Sequence, residues 1–472
     1  MLTAPWDFIA DKNVEDARSA FVRTVFHSLG DIVAFVDSKL GWNGDGEYDG
    51  CFAGSFNISI CVRRGDTDER ALIRFCSVTI HAPSRDKKVK NEVMTMGFLR
   101  EKTIMPIPPI HTWGLAEESP QQIGPFIIMD RMRGCDLSEF LLKPTEDGEE
   151  EFILDPNVEN RKLDIIYDQI AKFLLEISNL QFSKIGSISQ DTPDGQWGVT
   201  GRPLTYDMND AVTVGSCPEN QFDLIKRNIA GADADTAWRQ FVARRCFEKL
   251  MPSYGVIDDA GPFRVYCDDM RPSNMLVDPE TLQVTAVLDF EITNALPAQY
   301  AYDVPWWLLL RRPIILLERM TMEEFLKLFI PRKDQFVQAV ERVEAQSGMR
   351  TGNDRLSVRM RESWDSGRFW FNLASRYCFD IDEIYWEKLH SEGMGEAMLD
   401  PKTVKEKDRF INMKMDQFKQ YLRERQSDAR FSEWVSQPEP AFEPQSGNHT
   451  VTLLAIAFDM SVTFADPERH AY

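Results

Sequence analysis

The sequence predicts an α+β fold with two lobes, a small strand-rich lobe followed by a larger, mostly helical one. Two neighbouring β-rich runs, at 58–62 and 71–75, are joined by a turn at 65–68 and predict paired strands. From Asp136 onward apolar residues recur mainly at helical spacing, and 303–430 carries long charged helical faces. A length of 472 residues accommodates both lobes.

Residues 1–45 are predicted to form an amino-terminal helical extension. Phe21, Val25, Leu29 and Val33 repeat at a spacing of four, which is the period of a buried helix face. The stretch 41–50 is rich in Gly, Asn and Asp, so it is predicted to be a loop.

Residues 46–130 are predicted to form the small lobe. After the paired strands, a helix is expected at 88–101, and Pro106 and the prolines after it forbid its continuation. An apolar run at 126–129 predicts a further strand, and 130–134 reads as a connector to the second lobe.

Residues 131–435 are predicted to form the larger lobe. Helices are expected at 163–177 and 221–251, with a small hairpin or a loop at 185–209 between them. Three short strands follow at 263–266, 275–277 and 284–288. An acidic insertion is expected at 145–155, and 436–472 is a tail of unknown role that begins with a linker.

The composition limits the classes of function. The formal net charge of −21 argues against general nucleic-acid binding, which needs a basic surface. An acidic surface favours either a cationic substrate or solubility alone. Eight scattered cysteines without a C-x-x-C pair predict reduced thiols and a cytoplasmic location. Neither a signal peptide nor a membrane-spanning run is expected.

Three polar residues follow apolar strands in the second lobe. Asp269 is followed five residues later by Asn274, and Asp289 follows the next apolar run. A carboxylate held in such a loop could accept a hydrogen bond from a hydroxyl, and amide and carboxylate oxygens suit Mg²⁺. The plain alternative is a set of turn-forming Asp and Asn residues. The combination predicts phosphoryl transfer.

These residues carry a resemblance to a known family. The stretch Cys-Asp-Asp-Met-Arg-Pro-Ser-Asn, 267–274, resembles the H-G-D-x-x-P-x-N motif of the aminoglycoside phosphotransferase family, within the protein-kinase-like superfamily. Val-Leu-Asp-Phe-Glu, 287–291, is similar to that family's I-D-W/F-E. With Ala-Gln-Tyr-Ala-Tyr-Asp-Val-Pro-Trp-Trp-Leu, at 298–308, the chain resembles the fungal branch.

The resemblance implies a two-lobed protein-kinase-like fold and an ATP- and Mg²⁺-dependent phosphotransferase that acts on a hydroxyl of a small molecule. Asp269 would be the catalytic aspartate, and Asn274 and Asp289 the metal ligands. Asp303 matches an aspartate that braces the catalytic loop. The acceptor and the oligomeric state are not specified by the sequence.

The resemblance also assigns a nucleotide-binding half. Gly54, Ser55, Phe56 and Asn57 match the turn that covers the phosphates, for which a simple hairpin turn is the alternative.

Four further nucleotide-site residues follow from the same resemblance. Arg74 stands where the family has its phosphate-binding lysine, and Glu92 is expected to pair with it; a surface arginine and a solvated helix face are the alternatives. The carbonyl of Asp130 and the N–H of Met132 are expected to bond the adenine edge.

The sequence departs from the family pattern at three positions. Cys267 replaces the family's His, Asp268 replaces its Gly, and Arg74 replaces its Lys. Asp268 could raise the proton affinity of Asp269, or turn to solvent or to a local hydrogen bond. The departures motivate an alternative function, an inactive kinase-like binding protein. A protein kinase is disfavoured because the segment between Asp289 and Asp303 is short.

Overall fold

The computed structural model describes residues 8–54, 57–77, 82–143, 153–190, 195–206, 233–254, 260–348 and 352–431. The described residues divide into two compact units. Those within Arg18–Ile80 and Ile110–Arg131 form the sheet unit, and those within Met1–Ala17, His81–Pro109 and Met132–Pro438 form the helical unit. The predicted small lobe included the helix after residue 81, which instead groups with the helical unit. The tail 436–472 and most of the acidic insertion lie outside the described residues.

The sheet unit contains five antiparallel strands. They are β1 (Gly46–Ala53), β2 (Asn57–Arg64), β3 (Arg70–Cys76), β4 (Ile110–Gly114) and β5 (Phe126–Asp130). Their order across the sheet is β1-β2-β3-β5-β4, so β3 has a partner on both sides. The strands predicted at 58–62, 71–75 and 126–129 are confirmed as parts of β2, β3 and β5.

Strand β1 corrects the expectation of a loop through residue 50. Its Gly- and Asp-rich sequence has weak strand propensity, but its backbone pairs with β2, with Tyr48 opposite Val62. The carboxylate of Asp37 accepts hydrogen bonds from the N–H groups of Gly44 and Gly46, at 2.8 and 2.7 Å. Tertiary pairing therefore decides the conformation of this segment.

Two helices cover the amino-terminal region, α1 (Phe8–His27) and α2 (Leu29–Leu40). The predicted helical period is confirmed here. Helix α2 ends at Gly41, whose φ of 68° is left-handed and favours glycine. Helical and strand side chains share one buried core in the sheet unit, which includes Phe21, Val25, Ile32, Val36, Ile60, Ile73, Phe75 and Ile128.

The helical unit carries most of the remaining helices. They are α3 (Ala82–Lys102), α4 (Leu137–Leu141), α5 (Asn160–Ile177), α6 (Ala234–Tyr254), α7 (Ala298–Ala301), α8 (Pro313–Leu317), α9 (Met322–Ser347), α10 (Leu356–Asp365), α11 (Arg368–Arg376), α12 (Ile381–Ile384) and α13 (Pro401–Ser427). Helix α5 packs on α9, where the rings of Tyr167 and Phe336 lie 5.3 Å apart. Helix α6 packs on α13 through Phe241 and Phe410.

Short strands in the helical unit position the polar motif. They are β6 (Cys135–Asp136), β7 (Gln181–Phe182), β8 (Ser187–Gln190), β9 (Trp197–Gly201), β10 (Phe263–Cys267), β11 (Met275–Val277), β12 (Val284–Val287) and β13 (Thr293–Leu296). The order is β13-β10-β7 in one sheet and β12-β11-β6 in another, and β8 pairs with β9 as the predicted hairpin. The three strands predicted around the motif are confirmed as β10, β11 and β12.

Among the described helices, none is by itself long and apolar enough to cross a membrane. The pair Lys12–His27 and Leu29–Leu40 passes that test only when joined, and the two are bent by 64°. The cysteines in the described part of the chain are free thiols.

Candidate active site

Asp269 lies in the loop that leaves β10, and its carboxylate is held from both sides. The side-chain amide of Asn274 donates to Asp269 Oδ2 at 2.9 Å and to the Asp269 carbonyl at 2.8 Å. Arg271 Nε lies 2.9 Å from Oδ1. Pro272 begins the 3-10 turn that brings Asn274 back under the loop. The loop thus joins two predicted site residues, Asp269 and Asn274, and adds Arg271, to which the sequence analysis assigned no role.

Burial raises the pKa of the Asp269 carboxyl above its ordinary value. The positive charge of Arg271 opposes this shift, whereas the nearby negative charge of Asp289 adds to it. A desolvated carboxylate with raised proton affinity is suited to accept a proton from a hydroxyl.

Asp289 is connected to the same loop through the backbone. The N–H of Leu288 donates to the carbonyl of Asn274 at 2.8 Å. Asp289 itself has a φ of 60°, a left-handed conformation that few residues other than Gly, Asn and Asp adopt. The structure therefore brings the two predicted metal ligands to adjoining positions.

Two carboxylates missed as candidate ligands lie beside Asp289. Glu92 on α3, Asp289 and Glu291 each offer an oxygen, and these oxygens lie within 4.8 Å of one another. The amide of Asn274 points its nitrogen at Asp269, so its oxygen is the atom that a cation would take. Carboxylate and amide oxygens are the hard ligands that Mg²⁺ prefers, and this donor set fits that ion.

Lys88 is buried beside this carboxylate group. It is 1% exposed, and its Nζ lies 2.9 Å from Glu291 Oε1. One turn along α3, the side-chain amide of Asn91 donates to the backbone carbonyl of Glu291 at 2.9 Å. These contacts attach α3 to the segment after Asp289. The i, i+4 spacing of Lys88 and Glu92 on α3 was the sequence feature that could have indicated that the two share one face of the helix.

Asp268 and Cys267, the two departures from the family pattern that precede Asp269, each have identifiable surroundings. Asp268 Oδ1 accepts from the Tyr266 hydroxyl at 3.1 Å and lies 3.4 Å from Arg376 Nη1. Of the alternatives for Asp268, the local hydrogen bond is the one observed. Burial raises the pKa of the Cys267 thiol to about 12, so this side chain is a neutral packing group.

Trp306 contacts the loop that carries Asp269. Its Nε1–H donates to the carbonyl of Asp268 at 3.3 Å. Asp303, expected to brace the loop, instead accepts from Ser363 Oγ and from Asn372 Nδ2. Asp303 therefore joins α10 and α11, whereas Trp306 supports the loop.

A cavity of about 40 Å³ is lined in part by the loop that carries Asp269. Asp268, Trp306 and the buried Arg376 are among the residues that line it. A water molecule needs roughly 10–15 Å³ of cavity volume, so this cavity holds a few waters and is too small for a sugar.

Gly54 and Asn57, at the two ends of the predicted phosphate-covering turn, are joined through their backbones. The N–H of Gly54 donates to the carbonyl of Asn57 at 2.9 Å. A Cβ added at Gly54 would meet only this carbonyl, at 3.9 Å, among the described residues, so glycine is not required by packing. Ser55 and Phe56 lie outside the described residues.

Arg74 is not the edge-strand residue of the alternative interpretation. It lies on the central strand β3, opposite Ser59 and Ile127, and is 8% exposed. Burying a guanidinium is costly unless it is compensated, so its place in the sheet is not that of a solvated surface residue. Its pairing with Glu92, which lies in the helical unit, stays a prediction.

The two residues expected at the adenine edge lie at the end of the sheet unit and just beyond it. Asp130 is the last residue of β5, and its carboxylate lies 2.6 Å from His111 Nε2. Met132 follows outside any strand. Their contacts with a nucleotide stay predictions.

Tyr206 was missed altogether. Burial raises the pKa of its phenol well above the ordinary value, and the nearby negative charges of Asp269 and Asp268 add to this shift. Its ring lies 6.3 Å from that of Tyr377, which in turn lies under the guanidinium of Arg312 at 3.9 Å. Tyr206 is far from the motif in sequence and stands in no recognisable pattern.

The model of the APH family, described as the phosphotransferase enzyme family, matches residues 62–324, which is more than half of the 472-residue chain. Among curated proteins, none matches the chain.

Solved structures with a similar course of the chain include the following three. A Ralstonia eutropha JMP134 protein provisionally named an aminoglycoside phosphotransferase is 14% identical, with a TM-score of 0.42 over 82% of this chain and 97% of that one. A Plasmodium vivax ethanolamine kinase is 13% identical, with a TM-score of 0.38 over 92% and 97%. The Streptomyces rimosus aminoglycoside phosphotransferase APH(3'')-Id, in complex with ADP and streptomycin, is 13% identical, with a TM-score of 0.33 over 70% and 97%.

Proposed function

The chain belongs to the phosphotransferase enzyme family, and from this premise we propose that it transfers the terminal phosphoryl group of ATP to a hydroxyl of a small molecule. Its fold is the two-lobed kinase-like α+β fold of that family. The observation that carries the proposal is the buried Asp269 carboxylate, held between Asn274 and Arg271. A general base fixed in this way can orient an acceptor hydroxyl.

In the proposed reaction, the acceptor hydroxyl donates to Asp269 and passes its proton to that carboxylate as its oxygen bonds to the γ-phosphorus of ATP. The bond from that phosphorus to the β–γ bridging oxygen breaks, and ADP leaves. Arg271 steadies the carboxylate and would offset charge on the transferred group. Asn274 and Asp289 would hold Mg²⁺, with Glu92 beside them. Bound Mg²⁺ supplies charge neutralisation across the phosphates.

The same proposal includes the nucleotide half. The turn from Gly54 to Asn57 would approach the phosphates with backbone N–H groups, and Arg74 would supply a cation. The backbone of Asp130 and Met132 would bond the adenine. A cytoplasmic location belongs to the proposal, because free thiols are typical of a reducing compartment.

The proposal is tested with purified full-length protein, MgATP and a panel of alcohols that includes amino alcohols, sugars and aminoglycosides. ADP formation that depends on one alcohol is expected, and Asp269→Asn should lower it by about 10²–10⁴-fold. The variant should bind ATP as tightly as the wild type by calorimetry. Asp278→Asn, in an exposed turn after β11, is the matched control and should be as active as the wild type.

An inactive binding protein remains the rival interpretation, because the family's His and Lys are replaced. ATP binding without any ADP formation across the panel, and without release of phosphate to water, would establish that rival. Retention of turnover in Asp269→Asn would instead show that another group is the base.

A further inference from the structure

Asp268, the residue immediately before the proposed base, is fixed at its main chain. Its N–H donates to the carbonyl of Ile292 at 3.5 Å, and its own carbonyl accepts from Trp306 Nε1 at 3.3 Å. The peptide plane that follows Asp268 also carries the nitrogen of Asp269. Groups that fix Asp268 therefore limit where the Asp269 carboxylate can lie.

The side chain of Asp268 is held by a residue from a distant helix. Arg376, the last residue of α11, has its Nη1 3.4 Å from Asp268 Oδ1, the oxygen that also accepts from the Tyr266 hydroxyl at 3.1 Å. The guanidinium carbon of Arg376 lies 5.4 Å from the centre of the Tyr266 ring. Beside it, Ser375 Oγ is bonded to the Tyr300 hydroxyl at 3.0 Å. The end of α11 is thus attached both to β10, which leads into the loop, and to α7.

The guanidinium of Arg376 is buried beside this carboxylate. The two side chains are 8% and 14% exposed, and a buried charge is costly unless it is paired. Arg376 Nε has no hydrogen-bond partner among the described residues, but the side chain lines the cavity of about 40 Å³, whose waters can accept from it. Burial lowers the pKa of Arg376 to about 10, so the group keeps its charge at neutral pH. Asp268 therefore has a fixed counter-charge on α11.

We propose that Arg376 is a positioning residue, which acts through Asp268 to fix the loop that carries Asp269. The inference rests on the proposed function, because it takes Asp269 as the base. A reacting hydroxyl must meet that base at a defined place, and a displacement of about 1 Å can lower the rate by about 10²-fold. Loss of Arg376 should therefore lower kcat and leave the binding of ATP and of the alcohol unchanged.

The test uses the full chain, MgATP and the alcohol on which ADP formation depends. Arg376→Met should lower kcat by about 10- to 100-fold. Both KM values should stay within about twofold of the wild type, because Arg376 does not contact the substrates in this proposal. Asp268→Asn removes the charge that Arg376 holds and should lower kcat to a similar extent. The double variant should be no slower than the slower single variant, because both changes break one interaction.

Arg368→Met is the matched control, because Arg368 lies on the same helix and is 6% exposed. It removes an equally buried guanidinium and should keep kcat within about twofold, with every variant assayed at a temperature at which circular dichroism shows it folded. Arg376→Lys restores a positive charge and should recover part of the rate. With Asp268→Asn, it carries the same test if Arg376→Met does not fold.

Hydrogen exchange followed by mass spectrometry gives a readout that needs no turnover. Amide protons of residues 268–274 should exchange about tenfold faster in Arg376→Met, because the loop opens more often, and at the wild-type rate in Arg368→Met. Additive losses in the double variant, a raised KM for the alcohol at unchanged kcat, or an unchanged exchange rate in the loop would overturn the inference and leave the proposed function standing. ATP binding by the wild type without any ADP formation would overturn both, whatever the exchange rates.

Discussion

The buried pair of Lys88 and Glu291 offers the sharpest test of how this site is assembled. The two side chains are 1% and 4% exposed, and the atoms Nζ and Oε1 lie 2.9 Å apart. Replacing Lys88 by Met keeps the apolar stem and leaves the Glu291 carboxylate buried without this cation. Breaking a buried ion pair from one side costs about 3–5 kcal/mol of unfolding free energy. That loss is roughly a hundred- to several-thousand-fold in the unfolding equilibrium, since 1.4 kcal/mol is tenfold.

The measurement is urea unfolding followed by tryptophan fluorescence, for Lys88→Met, Glu291→Leu and the double variant. Each single variant is expected to lose stability in the stated range, and the double variant should recover most of it, because a neutral pair leaves no buried charge. Lys90→Met, on the exposed side of the same helix, should change stability by less than about 0.5 kcal/mol. Equal effects of the Lys88 and Lys90 variants, or simple additivity in the double variant, would refute the reasoning.

Three further predictions follow from the site. Asn274→Ala removes the amide that donates to Asp269. In a Mg²⁺ titration, half-maximal ADP formation should then need at least about tenfold more Mg²⁺, as at metal sites that lose a supporting group. An unchanged Mg²⁺ requirement would remove Asn274 from the metal site. Burial raises the pKa of Asp303 to about 7, above its unfolded value, so stability should fall as pH rises from about 4 to about 7, by at most about 4 kcal/mol. Urea midpoints of Asp303→Asn should lack that slope, and a slope identical to the wild type would contradict the assignment. Trp306→Phe deletes the hydrogen bond to the Asp268 carbonyl and should cost about 1 kcal/mol of stability in the same assay, with ADP formation reduced; full retention of both would exclude a supporting role.

Much of the candidate site could be predicted because it is local in sequence. Asp269 and Asn274 are separated by one turn of chain, and a proline between them restricts its path, so their contact follows from spacing and strand ends. Asp289 follows the neighbouring strand β12, which pairs with β11, so its approach was also predictable. The same reasoning found β2, β3 and β5, whose apolar runs are distinct.

The errors occurred where contacts join distant segments. Strand β1 has a turn-like composition, and only its pairing with β2 makes it a strand. Lys88 and Glu291 are 203 residues apart, as the numbering shows, and neither belongs to a pattern that names the other. The bracing role expected of Asp303 failed for a similar reason, because Asp303 and Trp306 are both buried and the sequence does not show which one faces the loop.

The sequence by itself determined the family, the order of strands and helices around the motif, and the residues Asp269, Asn274 and Asp289. The family follows from the motif resemblance. The positions of the three residues follow from short-range spacing, because they stand at strand ends where the backbone has few alternative paths. The tertiary structure alone decided that Lys88 pairs with Glu291, that Trp306 bonds the Asp268 carbonyl, and that Asp268 is bonded to Tyr266 rather than exposed. Those contacts depend on how distant elements pack, and burial then sets the charge balance that local sequence does not encode.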